Sequence, residues 1–432
     1  MSLLRLMDGR LRWLLVFWLF VLSAVAYLDR VNVSIAAHSI QTAHRLSNVQ
    51  LGWVFSAFVA GYALFQAPGG RLADRFGPRV VIGLGVAWWS VFTTLTALVP
   101  AGAAFSLALL IAVRFLLGAG EAVIYPAANR MVANWIPSAE RGLANGVIFA
   151  GVGVGAGITP PLITYVLLEW GWQWSFFVCA FLGLGACLVW SLLAGDTPAA
   201  HPWMGARELA HIQGGITAPV TGPGAPAKNW RAIAGDRNLL VITGSYFTVG
   251  YAAYIFYTWF FSYLTRVRGL DMKSSAAYSM LPFLAMAICS PLGGWVSDRI
   301  AKRHGKRAGR CGVAAFGLGV GATFLAAATQ VGSPRMACLV LAGGAGTISL
   351  AQSAYWAVTA DVAGRSAGAA SGIVNMGAQV GGVLTALLTP WIADRFGWTA
   401  SFLVAATLCL FGALAWFAVD PYASFDDSAE MD

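Results

Sequence analysis

The chain has 432 residues, 58% of them hydrophobic and only 10% charged, against about 25% charged in soluble domains, which excludes a soluble globular protein. The formal net charge of +9 does not mark a nucleic-acid partner, because the basic residues recur between apolar segments instead of gathering in one patch. Six cysteines without a CxxC pair and five histidines without ligand spacing argue against a disulfide framework and a metal site.

Arg5, Arg10 and Arg12 precede an apolar run from Trp13, and Ala24-Val25-Ala26 imitates a leader-peptide cleavage site. The run continues to Ala37, so it reads as a retained first span. Windows of about 20 apolar residues place further helices near 49–72, 79–99, 104–132, 142–168 and 173–194, after the first near 12–37. A second set lies near 239–265, 275–297, 311–330, 335–360, 367–393 and 398–420. The fold class is therefore all-α integral membrane, with twelve transmembrane helices in two six-helix, pseudo-symmetric halves. Residues 1–194 form the N-terminal bundle, 195–238 a linker rich in Pro, Gly, Ala and charge, 239–421 the C-terminal bundle and 422–432 a tail. A short helix is expected in the linker near Ala206 to Gln213.

Of the 27 Lys and Arg, 19 fall in the N-terminus and the loops after helices 2, 4, 6, 8 and 10, and only 6 in the opposite loops. By the positive-inside rule the linker and both termini are cytoplasmic, in a multi-pass protein of the cell's inner (plasma) membrane.

The halves repeat one another. Gly69-Gly70-Arg71-Leu72-Ala73-Asp74-Arg75 recurs as Gly293-Gly294-Trp295-Val296-Ser297-Asp298-Arg299, 224 residues on. Gly142, Gly146 and Gly171-Trp172 recur as Gly368, Gly372 and Gly397-Trp398, 226 residues on. An even number of spans separates the copies, so they are parallel repeats about an axis along the membrane normal. Asp74 stands at the C-terminal end of helix 2, where the helix dipole disfavours a carboxylate. It should pair with an arginine or cap the N-terminus of another helix, and its recurrence as Asp298 suggests contacts across the halves that close the cytoplasmic side.

Four charges lie inside spans: Asp29 and Arg30 in helix 1, Arg114 and Glu121 in helix 4. A charge at mid-bilayer costs about 2.5–3.5 kcal/mol on insertion scales, so such residues usually face a cavity or a partner. Either arginine can hold a carboxylate bidentately, and either acid can gain and lose a proton. Arg114 and Glu121 are two turns apart on one face, roughly 10 Å, and need not touch; Asp29 and Arg30 point about 100° apart, so at most one aims straight into a cavity. The bland alternative is a salt-bridge network that only neutralises charge. No Walker loop, GxGxxG, HExxH or GxSxG is present, so the chain is not expected to be an enzyme, and Gly151 to Gly157 in helix 5 reads as close helix packing.

The loop from Gly70 to Arg79 resembles the signature between helices 2 and 3 of the major facilitator superfamily. Tyr27-Leu28-Asp29-Arg30-Val31-Asn32, Tyr62…Gln66…Pro68-Gly69-Gly70, and Arg114…Gly118…Gly120-Glu121…Tyr125-Pro126-Ala127…Trp135…Pro137…Glu140-Arg141 narrow this to its anion:cation symporters, which include carriers of galactonate, hexuronates, glucarate, sialic acid and vesicular glutamate. The resemblance implies a carboxylate anchor at Arg30 and proton-coupling acids at Asp29 and Glu121. It puts Arg114 between those acids or on the substrate as a second contact. It implies pocket residues Tyr27 and Tyr62 and, in the second half, Tyr254, Ser353, Trp356, Asn375 and Gln379. Asp74, Arg75, Asp298, Arg299, Glu140 and Arg141 would form the gate.

The expected function is a proton-coupled symporter importing an organic acid anion, an aldonate, hexuronate or aldarate, by rocking of the two halves. Alternatives are carriage of tartrate, phthalate or an aromatic acid, an exporter, or a non-transporting membrane receptor, which would want a larger soluble domain. No cofactor is expected, the coupling ion being H+. The expected partners are the small anion and the lipid bilayer, around a monomer.

Overall fold

A computed structural model describes residues 10–103, 105–216, 230–260, 263–264 and 267–424. The prolines Pro219, Pro223 and Pro226 of the expected linker and most of the expected tail lie outside them. Among the described residues, helices dominate. We label the membrane-crossing ones α1 (Leu11–Ile35), α2 (Asn48–Phe76), α3 (Pro78–Leu98), α4 (Ser106–Glu121, continued by Ile124–Trp135), α5 (Arg141–Trp170), α6 (Trp172–Leu193), α7 (Arg237–Tyr254), α8 (Leu281–Lys306), α9 (Val313–Ala328), α10 (Pro334–Ala363), α11 (367–396) and α12 (398–415). Eleven stretches are long and apolar enough to cross a membrane, and the 52-residue one, Ala277–Ala328, holds both α8 and α9. Large side chains on the outer faces, among them Leu84, Leu168, Phe181, Phe316 and Phe411, are more than 60% exposed, as a lipid-facing surface requires.

Local chemistry sets the boundaries. Ser47 and Gln50 form a capping box that starts α2, while Ser333 caps α10 with Pro334 at its first position. Asp236 caps α7. Gly171 and Gly397 take positive φ values of 87° and 82°, a backbone conformation costly for residues with a Cβ, and turn α5 into α6 and α11 into α12. They are the repeat pair expected from the sequence. The short linker helix runs over Ala206–Gly215. It is fixed to the N-terminal half by Glu208, which accepts from the amides of Leu11 (3.1 Å) and Arg12 (3.1 Å) and so caps α1.

Two features differ from the uniform helices expected. The backbone of α4 loosens at Ala122–Val123, directly after Glu121. At its far end α7 passes into a π-helical turn, Ile255–Trp259, a local widening often found at functional positions.

The halves meet most closely where glycines face each other. A Cβ on Gly70 would lie 2.0 Å from the Gly368 carbonyl oxygen, and one on Gly294 would lie 2.1 Å from that of Gly142. Thus α2 crosses α11 and α8 crosses α5 backbone to backbone, the same contact made twice by the repeat. Gly70→Val is therefore expected to overpack the first crossing, at a cost of about 1–3 kcal/mol. It should expose Ser371, which is fully buried one turn along α11: a Ser371→Cys thiol should react about tenfold faster from the linker side in the Gly70→Val background. Unchanged protection would contradict the tight crossing.

Candidate anion site and the gate on the linker side

The four intramembrane charges gather between α1 and α4. Arg30 donates to Glu121 Oε1 through Nε at 3.2 Å and through a shorter Nη2 contact, and Glu121 is fully buried. The Arg30 guanidinium is also framed by aromatic rings, 4.6 Å from Tyr27, 4.3 Å from Tyr62 and 5.2 Å from Phe58, contacts that gain strength when desolvated. Arg114 shares the Phe58 ring at 4.8 Å. It is 1% exposed, its Nε and Nη1 have no hydrogen-bond partner, and it forms no ion pair among the described residues. Asp29 turns away from the cavity, taking a 2.6 Å hydrogen bond from Thr93 on α3 through Oδ2 while Oδ1 is left without one. As adjacency on one helix dictated, only Arg30 of the pair faces the cavity.

Two chambers meet at this point. The larger, about 350 Å3, lies toward the side opposite the linker and is lined by Arg30, Arg114, Phe58, Tyr27, Tyr254 and Tyr257 among others. The smaller, about 80 Å3, lies deeper and carries neutral groups: Tyr62, Tyr246, Ser349, Gln352, Asn375 and Gln379. Tyr27, Tyr254 and Tyr257 border both. Tyr257 sits in the π-helical turn and packs on Tyr27 at 6.0 Å and Phe283 at 5.3 Å. Tyr254 donates to Gln379 Oε1 at 2.7 Å. Asn375 donates to Gln66 Oε1 of the other half at 2.9 Å.

Below the chambers, on the linker side, the halves are latched. Asp74 accepts from the amides of Gly368 (3.0 Å) and Ala369 (2.8 Å) at the start of α11, with Arg130 3.7 Å away. Asp298 does the same for Gly142 (3.0 Å) and Leu143 (2.7 Å) at the start of α5, with Arg310 at 2.5 Å. Asp74 leaves the unfavourable C-terminal end of its own helix, and both carboxylates cap the N-terminal end of another, where dipole and free amides suit an anion. Arg141 pairs with Asp361 across the halves, and Ser138 donates to the same carboxylate at 3.0 Å. Asn129 donates to Ser371 Oγ at 2.6 Å. Asn129, Arg130, Arg310 and Asn375 add hydrogen bonds between the halves from mid-membrane to the linker side, so this side is shut.

The Major Facilitator Superfamily profile matches residues 19–377 and 305–430. The chain belongs to the Major Facilitator Superfamily. It is 34% identical over 410 residues to the probable sulfoacetate transporter of Cupriavidus necator, covering 94% of this chain and 93% of that one. It is 30% identical over 432 residues to the D-galactonate transporter of Escherichia coli, covering 95% of each. Its fold is similar to that of the proton:xylose symporter XylE, with a TM-score of 0.77 over 98% of this chain and all of that chain at 14% identity. It is a multi-pass membrane transporter of this superfamily, not an enzyme.

Several expected site residues sit differently from the reading by resemblance. Ser353 is fully buried, its hydroxyl has no partner, and it does not line a chamber; Ser349 and Gln352, one turn and one residue earlier, do. Trp356 lies behind the wall, donating to Tyr246 OH at 3.2 Å and packing on Phe149 at 4.9 Å. Arg75 and Arg299 do not bridge the halves but lie over Phe76 and Trp295 of their own helices. Glu140 binds Arg12 at 3.0 Å and His211 at 2.9 Å, tying the linker helix to the N-terminal half rather than gating. The partners the sequence did not single out are Asp361, Arg130, Arg310, Tyr246 and Gln352. Arg310 was hidden among six bases of the α8–α9 loop, where the positive-inside rule already explained it.

Arg310 is 1% exposed, so removing its carboxylate strands a buried cation. Asp298→Asn should destabilise the protein by about 3–5 kcal/mol, seen as a lower unfolding temperature in detergent, and adding Arg310→Gln should recover part of that loss. A double variant no more stable than the single one would mean that Arg310 is not held for Asp298.

Proposed function

We propose that the protein is a proton-coupled symporter that imports an organic acid anion, with the linker side cytoplasmic. The basic excess on that side supports the orientation. The observation that carries the reading is the Arg30–Glu121 pair. A substrate carboxylate and the Glu121 carboxylate compete for one guanidinium, so protonating Glu121 frees Arg30 for substrate, and substrate on Arg30 favours the protonated acid. Binding free energies linked in this way are reciprocal, which is the requirement for symport.

In this reading Arg30 and Arg114 anchor the anion, and Glu121 and Asp29 carry protons, Asp29 from its place beside Thr93. Tyr27 and Tyr62 hold the Arg30 guanidinium in place. Tyr254, Gln379, Asn375 and the neighbouring Gln352 offer hydrogen bonds to the substrate's uncharged end. Latches such as Asp74–α11 and Asp298–α5 keep the cytoplasmic side closed until loading, and rocking of the halves then exposes the site inward. A sugar acid (aldonate, hexuronate or aldarate) suits this division of one charged and one neutral region, and the galactonate relative supports that class. The sulfoacetate relative favours a second reading, a small anion with two acid groups.

Uptake into proteoliposomes is the test. Sugar acids and other carboxylates are offered with and without an inward proton gradient, and gradient-driven accumulation of at least one is expected; none for any anion would sink the symport reading. Glu121→Gln is expected to keep substrate exchange while losing proton-driven accumulation. Persistent accumulation would remove Glu121 from the coupling role.

A further inference from the structure

The larger chamber presents an imbalance of charge. Its wall contains two guanidinium groups, Arg30 and Arg114, and neither a carboxylate nor an amide side chain among the described residues. Arg30 is satisfied by Glu121, whereas Arg114, which feels the Asp29 and Glu121 carboxylates only from beyond ion-pair contact, has Nε and Nη1 buried without a hydrogen-bond partner. A buried guanidinium lacking acceptors is costly unless an anion completes it. Both cations rest on the Phe58 ring, at 5.2 and 4.8 Å, so they stand no more than about 10 Å apart. The neutral hydrogen-bonding amides that would read sugar hydroxyls line the other, smaller chamber.

We infer that the substrate is a short dianion: a carboxylate and a second oxyanion, carboxylate or sulfonate, joined by a short carbon spacer and held by Arg114 and Arg30 together. Arg114, which lines the chamber and has no carboxylate in ion-pair contact among the described residues, takes the first oxyanion. The second reaches Arg30 when Glu121 gives it up on protonation. Guanidinium donors suit carboxylate and sulfonate alike, because both offer coplanar oxygen pairs to a bidentate fork. The inference rests on the anion-carrier reading above and selects, within it, the two-acid substrates over the singly charged ones.

The test is a tryptophan-fluorescence titration of the purified full-length protein at mildly acidic pH with matched pairs: sulfoacetate against acetate, and galactarate against galactonate. The doubly charged member of each pair is expected to bind roughly ten- to a hundredfold more tightly, the worth of one charge-assisted contact. Arg114→Gln should bring the two members of a pair within about threefold of each other. Singly charged anions binding as tightly as their dianionic partners would overturn the inference while leaving the carrier reading intact. No binding of any anion would overturn both. The wild-type comparison decides even if Arg114→Gln fails to fold.

Discussion

An arginine and a glutamate in contact at the centre of a bilayer constrain everything around them. Neither Arg30 nor Glu121 is tolerable there alone. The protein therefore encloses them in its own interior, frames the guanidinium with Tyr27, Phe58 and Tyr62, and keeps a cavity from which Arg30 is reachable. The pair is a switch because an incoming anion and Glu121 need the same donors. Arg114 adds a second positive charge without a carboxylate in contact, and Asp29 stands outside the cavity, facing α3.

The same electrostatics, applied twice, shut the linker side. Asp74 and Asp298 occupy equivalent repeat positions and each caps the first turn of a helix in the opposite half. The close approach that lets the carboxylate reach those amides depends on facing glycines, Gly70 with Gly368 and Gly294 with Gly142. Duplication thus supplies a symmetric latch, while the anion site is asymmetric: the intramembrane charges lie in the first half, and the second half contributes Tyr254, Gln352, Asn375 and Gln379. Interfaces of this kind are bistable rather than continuously deformable, which suits a molecule that must close one side before it opens the other.

The fold was legible because hydropathy and repetition both survive as local patterns. Twelve apolar windows and two offsets define twelve spans and their pairing, and the conflict between Asp74 and its own helix dipole foretold the cap on another helix. That at most one of Asp29 and Arg30 faces the cavity followed from 100° per residue, while which of the two does so depends on how α1 packs. Long-range pairing was not legible. Arg141 and Asp361 are 220 residues apart, and no local pattern in the sequence joins them. Register within α10 also escaped: Ser349, Gln352 and Ser353 differ by about one turn, and which of them faces the chamber depends on how α10 packs. Arg75 and Arg299 share the motif of the latching aspartates, yet their long side chains run back over Phe76 and Trp295.

If anion and proton binding meet at one guanidinium, protons are exchanged when an anion binds, and their number can be measured directly. Calorimetric titration of the purified protein with a transported anion, repeated in buffers of different ionisation enthalpy, reads that number. Net proton uptake on binding is predicted in the wild-type protein, reduced or lost in Glu121→Gln. Anion binding with no proton uptake, or uptake unchanged in Glu121→Gln, would mean that the anion and Glu121 do not compete for Arg30.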